Sequence, residues 1–312
     1  MERWCRDRCV TLTHRHTREG TTVRTASATT APKRWITFAL KRAREQAGKS
    51  RQDVVDHLDC TLSHVSHLET GRNLPNAAEC EKLLVFYGLG ERWPFFRELL
   101  RAAKKGKDWW KAPAFCGAEP AWFDLYLGLE AWARVVASYD ALVIRGLFQT
   151  PEYAAALIRA GHPSLSDAEV QRRVDLRMER QTVLDREPDP LQVWSVLDEA
   201  ALRRPVGGPE IMRAQLRHLV QLAKRPNVEL QVLPLARGAH AGLDGTFTVL
   251  DFPLELPGDP GTVFVQNRLK GVYYEEPAEI DEYRQTLTRL QAQALTPADS
   301  PLVITRIAEE TT

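Results

Sequence analysis

The stretch from Ser50 to Pro75 narrows what this chain can fold into more than any other: it reads as two short helices joined by a tight turn. Ser50 stands where a helix N-cap belongs, and Asp53 three residues on completes a capping-box-like start. Val54, Val55 and Leu58 supply an apolar face. Asp59-Cys60 interrupts it, and Thr61 is the next candidate N-cap. Val65 and Leu68 form the buried stripe of the second helix, which Gly71 closes at a position favouring left-handed geometry. Helical spacing continues on both sides. Upstream, Leu40, Ala43 and Ala47 repeat until Gly48. Downstream, Pro75-Asn76 opens a helix in which Asn76 and Glu79 are spaced as a capping box and Leu83, Leu84 and Phe86 face the core. A fifth helix, 91–103, carries Phe95, Phe96, Leu99 and Leu100. Two helices with a tight turn, embedded among five short helices, are the helix-turn-helix layout.

The string LKRAREQAGKSRQDVVDHLDCTLSHVSHLETGRNLP resembles the Xre/lambda-repressor-type DNA-binding domain. Its marks are the AG-x-S start, the T-x-x-x-V-S-x-L-E-x-G recognition-helix string and the Gly-Arg-Asn-x-Pro exit. The family more often has serine where Thr61 stands, and either hydroxyl can cap a helix. With Val65 and Leu68 inward, an advance of about 100° per residue points Ser63, Ser66 and His67 most directly outward and leaves Leu62 and His64 on the flanks. The exposed first turns of such a helix can enter the major groove, where Ser and His hydrogen-bond base edges. Leu62, at a position usually polar in the family, either covers a thymine methyl or lies in the core three residues before Val65. Arg51 at the start of the preceding helix and Arg72-Asn73 at the exit are placed to meet phosphates, which position a protein without reading sequence. With Thr61, these residues are the expected DNA contacts. The surface has no Arg, Asn or Gln for bidentate base contacts and carries two histidines instead. Readout is therefore either weak or dependent on dimer symmetry and DNA shape, and affinity is expected to rise as pH falls, since an ordinary imidazole titrates near pH ~6.5.

Charge supports a division of labour. Residues 1–111 hold 22 Lys+Arg and 13 Asp+Glu, a balance of +9, and residues 112–312 balance at −8. A basic front suits a polyanion, and an acidic back suits another task. Residues 1–34 read as a disordered basic tail, with 8 Lys+Arg against 3 Asp+Glu and almost no periodic apolar positions. Cys5, Cys9, His14 and His16 in that tail are zinc-ligand types, but there is no foldable core between ligand pairs, and no metal is expected. The five cysteines are too scattered for a disulfide framework, and no apolar run approaches the roughly 18 residues of a membrane helix. The expectation is a soluble cytoplasmic protein with reduced thiols and no membrane contact.

After the helix-turn-helix domain at 35–103, residues 104–118 (KKGKDWWKAPAFCGA) read as a linker whose Trp109-Trp110 pair docks on the domain behind it. Residues 119–308 alternate helical and strand-like patterns. Helices are expected near 120–134, 151–160, 166–185, 209–225, 277–294 and 297–308. Strands are expected at 191–197, 228–233, 245–252, 262–266 and 272–275, the last four as an antiparallel meander. The fold class is therefore α+β: an all-α front, then a mixed domain with a mostly antiparallel sheet and flanking helices.

The strings WFDLYLGLEAWA, GLFQTPEYAAALI, VLDEAALRRPVGGPEIMRAQLRHL, RPNVELQVLP and GAHAGLDGTFTVLDFP are similar to the actinobacterial domain of unknown function found behind Xre-type domains in WhiJ-like regulators. The resemblance implies transcriptional regulation, with a small BldB-like protein as partner. The residues themselves show no G-x-S-x-G, P-loop, G-x-G-x-x-G or H-E-x-x-H string, so no catalytic residue and no cofactor is assigned. Two segments could form a ligand site. Glu199, Arg203, Arg204 and the Gly207-Gly208 turn before Pro209 could hold an anion, or be a plain strand-to-helix turn with surface pairing. The Arg237–Gly245 loop, with His240 and Asp244, could line a pocket or be structural. The leading expectation is a regulator that binds double-stranded DNA as a homodimer on an inverted repeat, its back half sensing a small molecule or small protein. The alternative gives the back half a cryptic transferase or hydrolase activity, toxin-like and held in check by a partner.

Overall fold

The computed structural model describes residues 31–105, 109–252 and 259–312. Residues 1–30 of the expected tail, with Cys5, Cys9, His14 and His16, fall outside the described residues, and its last four residues are helical rather than disordered. The front is a run of helices: α1 (Ala31–Gln46), α2 (Arg51–Leu58), α3 (Leu62–Thr70), α4 (Ala77–Phe86) and α5 (Trp93–Lys105). α1 begins four residues before the expected start at 35, which puts Lys33 and Arg34 on a helix. A 3-10 turn at Trp109–Lys111 comes next, with Trp110 buried and Trp109 edge-on to both Trp110 and Phe115.

Behind it come α6 (Asp124–Trp132), β1 (Val135–Asp140), α7 (Pro151–Gly161), α8 (Asp167–Arg180), β2 (Gln192–Asp198), α9 (Glu199–Arg203), α10 (Pro209–Leu222), β3 (Val228–Leu233), β4 (Phe247–Asp251), β5 (Thr262–Gln266), β6 (Gly271–Tyr274), α11 (Pro277–Gln293) and α12 (Ser300–Glu310). One six-stranded sheet runs in the order β3-β2-β1-β4-β5-β6. β4, β5 and β6 are antiparallel neighbours, and β4 is antiparallel to β1. β1, β2 and β3 are parallel, joined by helical crossovers through α7–α8 and α9–α10. The sheet is mostly antiparallel by pairing, within a mixed α+β chain.

Two strand expectations change. β3 leaves the expected meander for the far edge, beside β2. Its residues are buried from Leu230 to Leu233, so both faces need cover and the edge needs a seal. The segment before α12 and the helix's first residue provide that seal: Leu295 N–H donates to Val232 O at 2.8 Å, and the Ser300 hydroxyl accepts from Val232 N–H at 2.9 Å. β1 lies outside the expected strands. Its Ser138 and Asp140 break the apolar pattern, because they face a buried polar network rather than solvent.

That network lies under the sheet. Asp140 accepts from Ser138 and Ser195, each at 2.7 Å, and Arg145 donates to Ser138 at 2.8 Å and to the Tyr126 hydroxyl at 3.3 Å. Arg180 makes a two-pronged pair with Glu130 at 2.8 and 2.9 Å while lying over the rings of Phe123 and Tyr126. On the opposite face, Tyr139, Val196, Phe247, Val249 and Val263 pack against Ile280, Leu287 and Leu290 of α11.

The front and back are not independent. Trp35 of α1 is 1% exposed and lies edge-on to two rings, with centroid separations of 5.5 Å to Trp132 at the end of α6 and 4.7 Å to Phe252 after β4. Arg34 donates to Thr262 on β5 at 3.3 Å and pairs with Glu275 after β6. One buried cluster runs from Val54, Val65 and Leu68 to the sheet residues Val136, Val193 and Leu250. Asp259 sits at this seam, near Arg34, Arg42 and Glu275. Burial pushes its carboxyl from 3.8 to about 6, against the pull of the Gly261 N–H bonded to it at 2.8 Å. The folded protein thus holds that proton more tightly than the unfolded chain does. This group's contribution to stability is complete below pH 3.8 and is lost as pH rises through about 6. Unfolding midpoints measured from about pH 4 to 7 should carry that downward slope in the wild type, and Asp259→Asn should lose it.

Candidate nucleic-acid interface

Local chemistry builds the α2–turn–α3 unit. Ser50 N–H donates to Asp53 Oδ2 at 2.7 Å, and Asp53 N–H donates back to the Ser50 hydroxyl at 3.1 Å. The bond from the Ser50 backbone, and then the one from its side chain, hold the Asp53 carboxyl below its usual range. Asp59 ends α2 in the left-handed region at φ 52°, which a short polar side chain tolerates, and Cys60 N–H donates to Val55 O at 3.1 Å. The Thr61 hydroxyl then accepts from His64 N–H at 3.2 Å and starts α3. Gly71 ends it at φ 71°. A Cβ there would lie 3.2 Å from the Thr37 hydroxyl, so this glycine lets α3 close against α1.

Val65 and Leu68 are buried, at 2% and 4% exposure, while Leu62 is 54% exposed. The structure therefore removes the core alternative for Leu62. Ser63, Thr61, Arg72 and Asn73 are exposed, and Ser66 and His67 are half-buried. The histidines are engaged within the protein: His64 Nε2 lies 3.2 Å from Glu79 Oε1, and His67 Nε2 lies 3.3 Å from an Arg72 guanidinium nitrogen. Glu79 is itself held in the Asn76 capping box, at 2.8 and 3.0 Å. Arg51 is half-exposed but donates to Glu69 at 2.8 Å. Glu69 is nearly buried and also takes a bond from Arg44 at 2.5 Å. This Arg44–Glu69–Arg51 bridge ties α1, α2 and α3 together. Sequence reasoning misses it, because Arg44 looks like one more solvated charge on the first helix. Leu62, Ser63, Ser66, His67, Arg72 and Asn73 thus lie along α3 and its exit, clear of the core.

The expected ligand residues of the back half separate. Glu199 starts α9, where it accepts from Arg203 at 2.6 Å and from Leu235 N–H at 2.9 Å. Arg203 also reaches Glu310 of α12 at 2.9 Å. Gly207 and Gly208 adopt φ of 73° and 93°, and a Cβ on Gly207 would fall 2.9 Å from Ile211 and 3.0 Å from Ala156, so close packing explains that glycine. Arg204 and Arg237 are exposed, as is Asp244. His240 is brought elsewhere: its Nδ1 accepts from Gly242 N–H at 3.1 Å, and its Nε2 lies 3.5 Å from the Tyr139 hydroxyl and 3.7 Å from Asp198. Tyr139 donates to Asp198 at 2.8 Å, and burial together with that carboxylate raises its phenol pKa. The cluster sits at the carboxyl ends of β1 and β2. Sequence reasoning misses Tyr139 together with the strand that carries it.

The α2–turn–α3 geometry defines a helix-turn-helix DNA-binding protein, and the family model of the helix-turn-helix domain matches residues 36–92. The model of a domain of unknown function, DUF5753, matches residues 123–306. That match covers more than half of the chain, and the protein belongs to the DUF5753 family. No curated protein and no solved structure matches it. Among the described residues, no helix is long and apolar enough to cross a membrane.

Proposed function

We propose that this protein is a transcription regulator that lays α3 in the major groove of an operator, as a homodimer on an inverted repeat. In this reading the α+β half binds a small molecule or a small protein, of the BldB-like kind its resemblance implies, and performs no chemistry. The observation that carries the proposal is the position of α1. It packs on the DNA-reading unit through the Arg44–Glu69 pair, and on the back half through Trp35 against Trp132 and Phe252 and through Arg34 on Thr262, so a change in the back half reaches α3 through one helix. An effector acts by binding the DNA-competent and incompetent arrangements with different affinity. Fluorescence anisotropy on the protein's own upstream DNA, against a scrambled duplex, tests the DNA-binding part. Arg72→Ala removes a phosphate contact in this reading. It should weaken binding to both duplexes and lower the slope of log K against log salt by about 1. An unchanged slope would remove Arg72 from the interface.

A further inference from the structure

We infer that Leu62 reads the C5 methyl group of a pyrimidine, so that each half-site of the operator carries a thymine under the first turn of α3. The inference rests on the reading that α3 enters the major groove. Its source is an exposed leucine that the fold does not need. Leu62 is the first residue of α3, and its exposure of 54% contrasts with Val65 and Leu68 on the same helix. Nothing local requires an apolar side chain there. Thr61 caps the helix through its own hydroxyl, and both neighbours of Leu62, Thr61 and Ser63, are exposed.

The polar alternatives around it are weak discriminators. His64 faces Glu79, and His67 faces Arg72. The hydroxyls of Ser63 and Ser66 both donate and accept, so they suit more than one base edge. In the major groove the distinctive apolar feature is the thymine methyl. A leucine side chain covering it buries about one carbon on the DNA side, at roughly 0.8 kcal/mol, which is about a fourfold change in affinity. Cytosine carrying a 5-methyl group offers the same surface.

The test uses the full chain and its upstream DNA, with the bound site located by footprinting. Each thymine in the site is replaced in turn by uracil, which keeps every hydrogen bond of the base pair and removes the methyl. One position per half-site should lose about three- to fivefold in affinity in the wild type. Leu62→Ala should bind that uracil duplex and the parent duplex equally. Because Leu62 is exposed, the variant should unfold at the wild-type midpoint. Cytosine against 5-methylcytosine at the same position should repeat the difference in the wild type and not in the variant. Sequence-selective binding that ignores every uracil, or a uracil penalty that survives Leu62→Ala, overturns the inference and leaves the regulator standing. Binding no better than to scrambled DNA overturns both.

Discussion

The wild type is expected to unfold in one transition, and the Trp35→Ala variant in two. Removing a buried tryptophan typically costs about 3–5 kcal/mol, through lost transfer energy and the cavity left behind. Here the cost falls on a seam. The indole lies edge-on to Trp132 and Phe252, and the neighbouring Arg34 holds Thr262 and Glu275. Without the indole, the helical front keeps its own core of Ile36, Leu40, Val54, Val65 and Leu68. It should therefore remain folded but melt separately from the sheet. Calorimetry would show two peaks where the wild type shows one. A lower but single transition would mean that the other seam contacts couple the halves without Trp35. In the proposed regulator, an effector's influence on DNA affinity should shrink in the same variant, because the proposal routes the coupling through this contact.

Glu130→Ala is expected to cost about as much, inside the back half alone. Arg180 would be left beneath the sheet with its partner gone, and breaking a buried pair from one side costs about 3–5 kcal/mol. The whole stability of a domain is commonly about 5–15 kcal/mol. Both side chains are almost wholly buried, and the pair is two-pronged. Loss of soluble protein, or a large fall in the denaturation midpoint, is the expected result. The double variant Glu130→Met/Arg180→Met removes both charges and should recover most of the loss. A double variant as unstable as the single one would show that the pair's contacts with Phe123 and Tyr126, rather than its charges, hold this layer.

The front half is legible because its signals are local. Ser50 with Asp53, Asn76 with Glu79, the Thr61 cap and the left-handed Gly71 each act within a few residues, and the structure contains each of them. Leu62 is ambiguous in sequence because its place three residues before Val65 suits both the core and the flank, and only packing decides between them. The back half shows the limit of such reading. Strand-forming residues identify 228–233 as a strand but not its neighbour, which is chosen by the helical crossover and by the seal from Leu295 and Ser300. β1 is hidden because Ser138 and Asp140 look like loop residues until Ser195 arrives from elsewhere in the chain. The same holds for Trp35 and Phe252, and for His240 with Tyr139 and Asp198. In each case the partner lies far along the sequence, and no pattern in either segment names the other.

DNA reading by α3 is tested by binding measurements. Anisotropy with the protein's own upstream duplex, a scrambled duplex and a salt series should be run on the wild type and on Ser63→Ala/His67→Ala. Both substitutions lie on the outward side of α3, away from Val65 and Leu68. The wild type should bind tightly and sequence-selectively, and the variant's binding should be weak, salt-sensitive and equal on the two duplexes. Equal, salt-sensitive binding of both duplexes by the wild type itself, unchanged in the variant, would contradict the claim.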